Sequence, residues 1–136
     1  MAINGSCFCG GVTYKIEGGL RDARSCHCSM CRKAFSAQAS AYALLDPGQL
    51  VWVSGEKLLT HYESNSDVGL KFCCRCGSTL CGTYQGELHG VTLGCLDGNP
   101  KIELGMHIFV ASKAAWEVIP EGVPHYEKWP PKTTKK

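Results

Sequence analysis

The sequence contains no apolar run approaching the roughly 18 residues a membrane-spanning helix needs, and nothing before its last residues is visibly basic. The first absence tells against a membrane span, the second against a nucleic-acid reader, which would show a basic face or stripe. Formally, 14 Lys+Arg against 12 Asp+Glu give +2, but Lys132, Lys135 and Lys136 lie at the very end, and without them the balance is −1. The opening residues Met1-Ala2-Ile3-Asn4-Gly5-Ser6-Cys7 lack the charged start and apolar stretch of a signal peptide. The chain therefore reads as soluble and cytoplasmic, with Asn4-Gly5-Ser6 a chance match to the glycosylation pattern. Charge is also sparse, 19% against 44% hydrophobic residues, a balance that excludes a disordered chain. No internal repeat is present. At 136 residues the chain predicts one domain over 1–131, with a frayed Lys-rich tail at 132–136.

Helical periodicity is scarce as well: only Ser29–Phe35 and Ser112–Trp116 offer a turn or two each. Strand signals dominate instead. Val12–Ile16 alternates apolar and polar residues, and further short runs follow at Ala39–Leu44, Leu50–Val53, Leu58–Tyr62, Leu70–Cys73, Thr79–Tyr84, Val91–Leu96 and His107–Val110. Asp46-Pro47-Gly48 and Ser54-Gly55 punctuate them. About eight strands at this spacing predict an all-β domain with little helix.

What the chain has in plenty is cysteine, 10 in all. Cytosolic thiols stay reduced, so clustered cysteines there point to metal sites or catalysis before disulfides. Three clusters stand out: Cys7-Phe8-Cys9-Gly10-Gly11, Cys26-His27-Cys28-Ser29-Met30-Cys31 and Cys73-Cys74-Arg75-Cys76-Gly77. Close cysteine pairs followed by Gly suit zinc, because tight turns let two thiolates and nearby backbone amides converge on one ion. Cys7 and Cys9 with Cys73 and Cys76 would supply the four thiolates of a closed structural site. Cys26, Cys28 and Cys31 supply three and leave a fourth position, the arrangement of catalytic zinc, unless His27, Cys95 or His107 closes it. A redox role for Cys73 and Cys76 lacks the surrounding βαβ pattern it would need. Cys74, Cys81 and Cys95 read as small apolar residues, and Trp116 and Trp129 as packing aromatics. Arg32 and Lys33, directly after Cys31, either offer positive charge to an anionic substrate or are simply solvated.

Taken in order, Ser6–Val12, Cys26–Lys33, Phe72–Gly77 and His107–Lys113 with Trp116 resemble the glutathione-dependent formaldehyde-activating enzyme (GFA) family, also known through centromere protein V. The resemblance spans nearly the whole chain. It implies a zinc-stabilised β-tent of short antiparallel sheets. It also implies two zinc ions per chain, a structural one on Cys7, Cys9, Cys73 and Cys76 and a more labile, catalytic one on Cys26, Cys28 and Cys31. The activity it implies is that of a carbon–sulfur lyase acting on thiol–aldehyde adducts, with glutathione and formaldehyde joined as S-hydroxymethylglutathione. The alternative is a non-catalytic zinc-binding module for protein interaction. A fourth protein ligand on the middle cysteines would favour the module, and an open position the enzyme.

Overall fold

The computed structural model describes residues 2–131, so the lysine-rich end expected at 132–136 lies outside the described residues. Its strands are β1 (Ile3–Ser6), β2 (Thr13–Ile16), β3 (Arg21–Cys26), β4 (Ser40–Leu44), β5 (Leu50–Ser54), β6 (Leu59–Glu63), β7 (Val68–Cys73), β8 (Thr79–Tyr84), β9 (Glu87–Thr92) and β10 (Met106–Ile108). A single α-helix among the described residues, α1, spans Ser29–Phe35. The all-β expectation holds, and so does the short helix after the middle cysteines.

The chain divides into two compact units. The first comprises the residues up to Arg21 together with Tyr42–Ile102. In it, β1, β2 and β5 form an antiparallel sheet, with Ile3 opposite Ile16 and Tyr14 opposite Trp52. A second run of neighbours, β4-β9-β8-β7-β6, is antiparallel throughout. Val12, Tyr14, Ile16, Leu50, Leu80, Cys81 and Val91 form its buried core, and Cys7 and Cys73 belong to the same cluster. Alternation along these strands puts one face inward, as the burial of Tyr14 and Ile16 around exposed Lys15 shows.

The second unit comprises Asp22–Ala41 and the residues from Glu103 onward. Here β10 lies parallel to β3, with His107 opposite Ser25 and Ile108 opposite Cys26. Its buried residues are Ala23, Cys26, Ile108 and Ala114 among the apolar ones, beside Arg24, Ser25, His27, Ser40 and His107. So polar a buried set depends on internal pairing, because a buried polar group without a partner is costly.

Several boundaries differ from the sequence pattern, each for a local reason. The strand expected at Val91–Leu96 runs Glu87–Thr92 instead, because Gln85 and Gly86, both at positive φ, make the two-residue hairpin turn that opposes Tyr84 to Glu87. Beyond it Leu93–Cys95 curl into a 3-10 turn closed by Leu96 N donating to Leu93 O. The expected helical turn at Ser112–Trp116 is a 3-10 turn at Val110–Ser112 that ends as Lys113 turns extended. Strands β1 and β3 have no counterpart in the sequence reading.

Candidate metal centre

Two matched turns build the first cluster, both within the first unit. After β1 the chain folds back through Cys7–Val12, with Cys7 N donating to Val12 O at 3.0 Å and Gly10 N to Cys7 O at 3.0 Å. After β7 it repeats the device, with Gly77 N donating to Cys73 O at 2.8 Å and Cys73 N to Ser78 O at 2.9 Å. Gly10 and Gly77, each directly after the second cysteine of its pair, sit at φ +79° and +84°, a conformation any side chain would strain. This is why both pairs end in Gly.

The turns bring the Cys7, Cys9, Cys73 and Cys76 sulfurs within 4.8 Å of one another. Cys7 Sγ lies 3.6 Å from Cys9 Sγ, which lies 3.9 Å from Cys73 Sγ across 64 positions of sequence. A tetrahedral zinc with sulfurs at about 2.3 Å requires sulfur–sulfur edges of about 3.8 Å, so the cluster has the dimensions of a zinc site. Backbone amides already point at the sulfurs: Val12 N donates to Cys7 Sγ at 3.3 Å, Gly11 N to Cys9 Sγ at 3.4 Å and Arg75 N to Cys73 Sγ at 3.4 Å. Such donors stabilise thiolates, the form a metal needs. The Gly11 amide and then the Arg75 guanidinium hold the Cys9 thiol below its ordinary pKa, and the Ser78 hydroxyl and amide bring Cys76 down to about 5. Burial pushes Cys73 the other way.

Arg75 is a residue that sequence reasoning missed. A methyl group at Gly11 would meet Arg75 Nη2 at 2.7 Å, so the guanidinium lies against that turn and beside Cys9. Four thiolates around a divalent ion leave an excess of negative charge, which a neighbouring guanidinium offsets. The only sequence signal was a charged residue inside a cysteine cluster.

The second cluster lies in the second unit. Cys26 ends β3, Cys28 caps α1 with its sulfur accepting from Cys31 N at 3.3 Å, and Cys31 falls in the first turn of the helix. Their three sulfurs lie within 4.8 Å of one another, and among the described residues no His, Cys, Asp or Glu joins them as a fourth. The thiols share protons unequally. Hydrogen bonds from the Cys26 and Cys31 thiols lower Cys28 well below its ordinary value, while the bond to Cys28 is the largest effect raising Cys26. Cys31 is raised too: its contact with Cys26 lowers it, but its contact with Cys28 and burial outweigh that.

The three candidates for closing this site are all placed elsewhere. Cys95 belongs to the first unit, where its sulfur lies 3.6 Å from Thr79 O. His27, fully buried between two of the cysteines, has Nε2 3.0 Å from His107 Nδ1 and Nδ1 2.9 Å from Glu117 Oε1. The second approach is off the line of an N–H bond, so it is a close contact without hydrogen-bond alignment. His107 is pulled below its ordinary pKa, first by burial and then by His27. Glu117 also escaped the sequence reading, since nothing in the pattern around Trp116 links it to a residue 90 positions earlier. Of the expected substrate contacts, Arg32 is half-buried with its Nε enclosed and without a hydrogen-bond partner, and Lys33 is exposed. Among the remaining cysteines, Cys81 is buried and Cys74 exposed, and all ten are free.

With both clusters in place, the comparisons with known proteins are decisive for the family. The profile described as glutathione-dependent formaldehyde-activating enzyme matches residues 2–112. The chain belongs to that family. A crystal structure of a Rhodobacter sphaeroides protein is similar, with 28% identity and a TM-score of 0.57 over 90% of this chain and 98% of that one. No curated protein matches the sequence. Membership implies a glutathione-dependent, formaldehyde-activating function, and in this GFA-family chain both cysteine groups could hold metal ions. No helix among the described residues is long and apolar enough to cross a membrane.

Proposed function

We propose that this GFA-family chain is a zinc-dependent carbon–sulfur lyase-type enzyme that makes and breaks the bond between a small thiol and an aldehyde carbon. Glutathione and formaldehyde, giving S-hydroxymethylglutathione, are the first pair the family points to. Cys7, Cys9, Cys73 and Cys76 hold a structural zinc, and Cys26, Cys28 and Cys31 a second, more labile one at the reacting centre. The observation that carries the reading is the three-sulfur cluster with no fourth protein ligand among the described residues. A binding module would have no use for the open position.

When bound there, zinc supplies a positive centre that keeps a substrate thiol ionised near neutral pH, where a free thiol of pKa about 8.5 is mostly protonated. Cys26, Cys28 and Cys31 would hold that centre from β3 and α1, with no fourth His, Cys, Asp or Glu beside them among the described residues. In the reaction the substrate thiol gives up its proton to water, the thiolate sulfur forms the C–S bond to the carbonyl carbon, the C=O electron pair moves to oxygen, and that oxygen takes a proton back from water. The reverse sequence cleaves the adduct. Arg32, with its enclosed and unpartnered Nε, and Lys33, one residue on, offer positive charge to a carboxylate of the thiol substrate. Ten free cysteines suit a reducing compartment such as the cytoplasm.

The uncatalysed addition is itself fast, so the test follows exchange at equilibrium by magnetisation transfer between free and adducted formaldehyde in the presence of glutathione. Zinc-loaded protein is expected to accelerate the exchange and Cys31→Ser to abolish the acceleration. Equal rates for the two proteins across several thiols and aldehydes, with the labile zinc confirmed in the wild type, would replace this reading with the binding module.

A further inference from the structure

His27 poses a physical problem. It is one of the largest fully buried side chains, it sits between two cysteines of the open cluster, and it is not one of the clustered ligands. A polar ring with no solvent contact is costly to bury unless its nitrogens find partners; Nε2 has a hydrogen bond, and Nδ1 has only a close, unaligned contact with a carboxylate. Nε2 meets His107 Nδ1 at 3.0 Å, and Nδ1 faces Glu117 Oε1 at 2.9 Å. The backbone of the same residue is pinned as well, its N–H donating to Ile108 O at 2.9 Å. All of these partners lie in the second unit.

The topology explains how partners so distant in sequence come together. The parallel pairing of β10 with β3 sets Ile108 opposite Cys26 and His107 opposite Ser25, so the strand that carries His107 runs alongside the entry to the cysteine turn. Glu117 arrives from a separate segment, after the 3-10 turn at Val110–Ser112, whose local fold is closed by Lys113 Nζ donating to Glu117 O at 2.8 Å. The His27 ring is thus held from two sides by residues on two different stretches of chain. A ring clamped in this way cannot swing without breaking one contact, and the Cα atoms of Cys26 and Cys28 are its immediate chain neighbours.

We infer that Glu117 and His107 are positioning residues of the open cysteine site, clamping His27 so that the Cys26–Cys28 turn keeps its ligating shape. This rests on reading that cluster as the zinc site proposed above. A histidine that merely fills the core would affect only the melting temperature. A clamp controls how readily the cysteines let go of the metal while the protein stays folded, as partners just outside a ligand shell do.

The test follows zinc release from fully loaded protein to a chromogenic chelator, well below the unfolding temperature. The wild type is expected to release in two phases, the faster from the three-cysteine site. Glu117→Ala and His107→Phe should speed the fast phase by about tenfold or more and leave the slow phase, from the other unit, unchanged. Glu117→Gln, whose amide oxygen can reoccupy the Oε1 position, should return most of the wild-type rate and guards against an Ala variant that folds poorly. With cobalt(II) in place of zinc, the thiolate charge-transfer bands of the fast site should shift in Glu117→Ala and recover in Glu117→Gln. A biphasic wild type whose fast phase is the same in every variant would overturn the clamp alone, as would acceleration of both phases together. A wild type that binds a single, slowly released zinc would remove the metal reading, and the clamp with it.

Discussion

Removing both far-side ligands of the closed cluster, in Cys73→Ser/Cys76→Ser, cuts a tie between segments that the sequence keeps far apart. Cys9 and Cys73 meet across 64 positions, and closing a loop of that length removes about 4 kcal/mol of conformational entropy from the unfolded chain. The tie is only part of the contribution, since structural zinc is worth about 10–16 kcal/mol in zinc-finger peptides against about 5–15 kcal/mol for a whole folded domain. For a chain of this size the tie alone converts to a fall in Tm of about 12 °C or more. The same arithmetic gives the short Cys26–Cys31 segment about 2 kcal/mol, and Cys28→Ser leaves both its ends in place, so it should lower Tm by no more than about half as much while costing the exchange activity. Differential scanning calorimetry, with metal content measured on each sample, reads both variants. Because Cys73 is also fully buried in the apolar cluster, Cys81→Ser, another fully buried cysteine in that cluster, controls for placing a hydroxyl there. A double variant that melts with the Cys81→Ser control, or no lower than Cys28→Ser, would refute the division between a structural and a reacting site.

Two smaller perturbations test particular features of the same unit. Tyr14 is buried with its hydroxyl unpartnered among the described residues, and burial pushes its pKa far above the ordinary range. Removing that hydroxyl in Tyr14→Phe relieves an unmet desolvation cost, so denaturant unfolding should show stability within about 1 kcal/mol of wild type or above it, and a loss of more than about 2 kcal/mol would reveal a partner. Gly11→Ala would place a methyl group 2.7 Å from Arg75 Nη2 and 2.8 Å from Leu58 Cδ1, pressing the guanidinium away from Cys9, and Leu58→Ala in the same background separates the two contacts. The expected result is zinc release from the slow site faster by about tenfold, and an unchanged slow phase would show that Arg75 does not steady that site.

The cysteine sites were largely legible in the sequence because their geometry is local. Two cysteines and a following Gly within one turn define half of the first group, and counting thiolates sorts the cysteines into the sets of four and three that the structure brings together. Long-range pairing was not legible. Strand β3, Arg21-Asp22-Ala23-Arg24-Ser25-Cys26, shows no apolar alternation, yet its last four residues are buried, with Arg24 donating through Nε to Asp22 O of the same strand. Strand β1 is short and carries Gly5, so propensity alone could not mark it. Glu117 and His107 reach His27 only through a parallel pairing and a separate chain segment, neither of which leaves a periodic trace. Arg75 depends on the empty space at Gly11, a steric fact that appears only once the two turns face each other.

The proposed enzyme needs one cysteine cluster closed by protein and the other left open for a substrate sulfur. A crystal structure of the zinc-loaded protein soaked with glutathione distinguishes the two arrangements. The expected result is one zinc bound by Cys7, Cys9, Cys73 and Cys76, and a second bound by Cys26, Cys28 and Cys31 with the thiol sulfur of glutathione as its fourth ligand. A second zinc whose fourth ligand is a side chain of this protein, or a three-cysteine cluster that binds no metal at full loading, would contradict it.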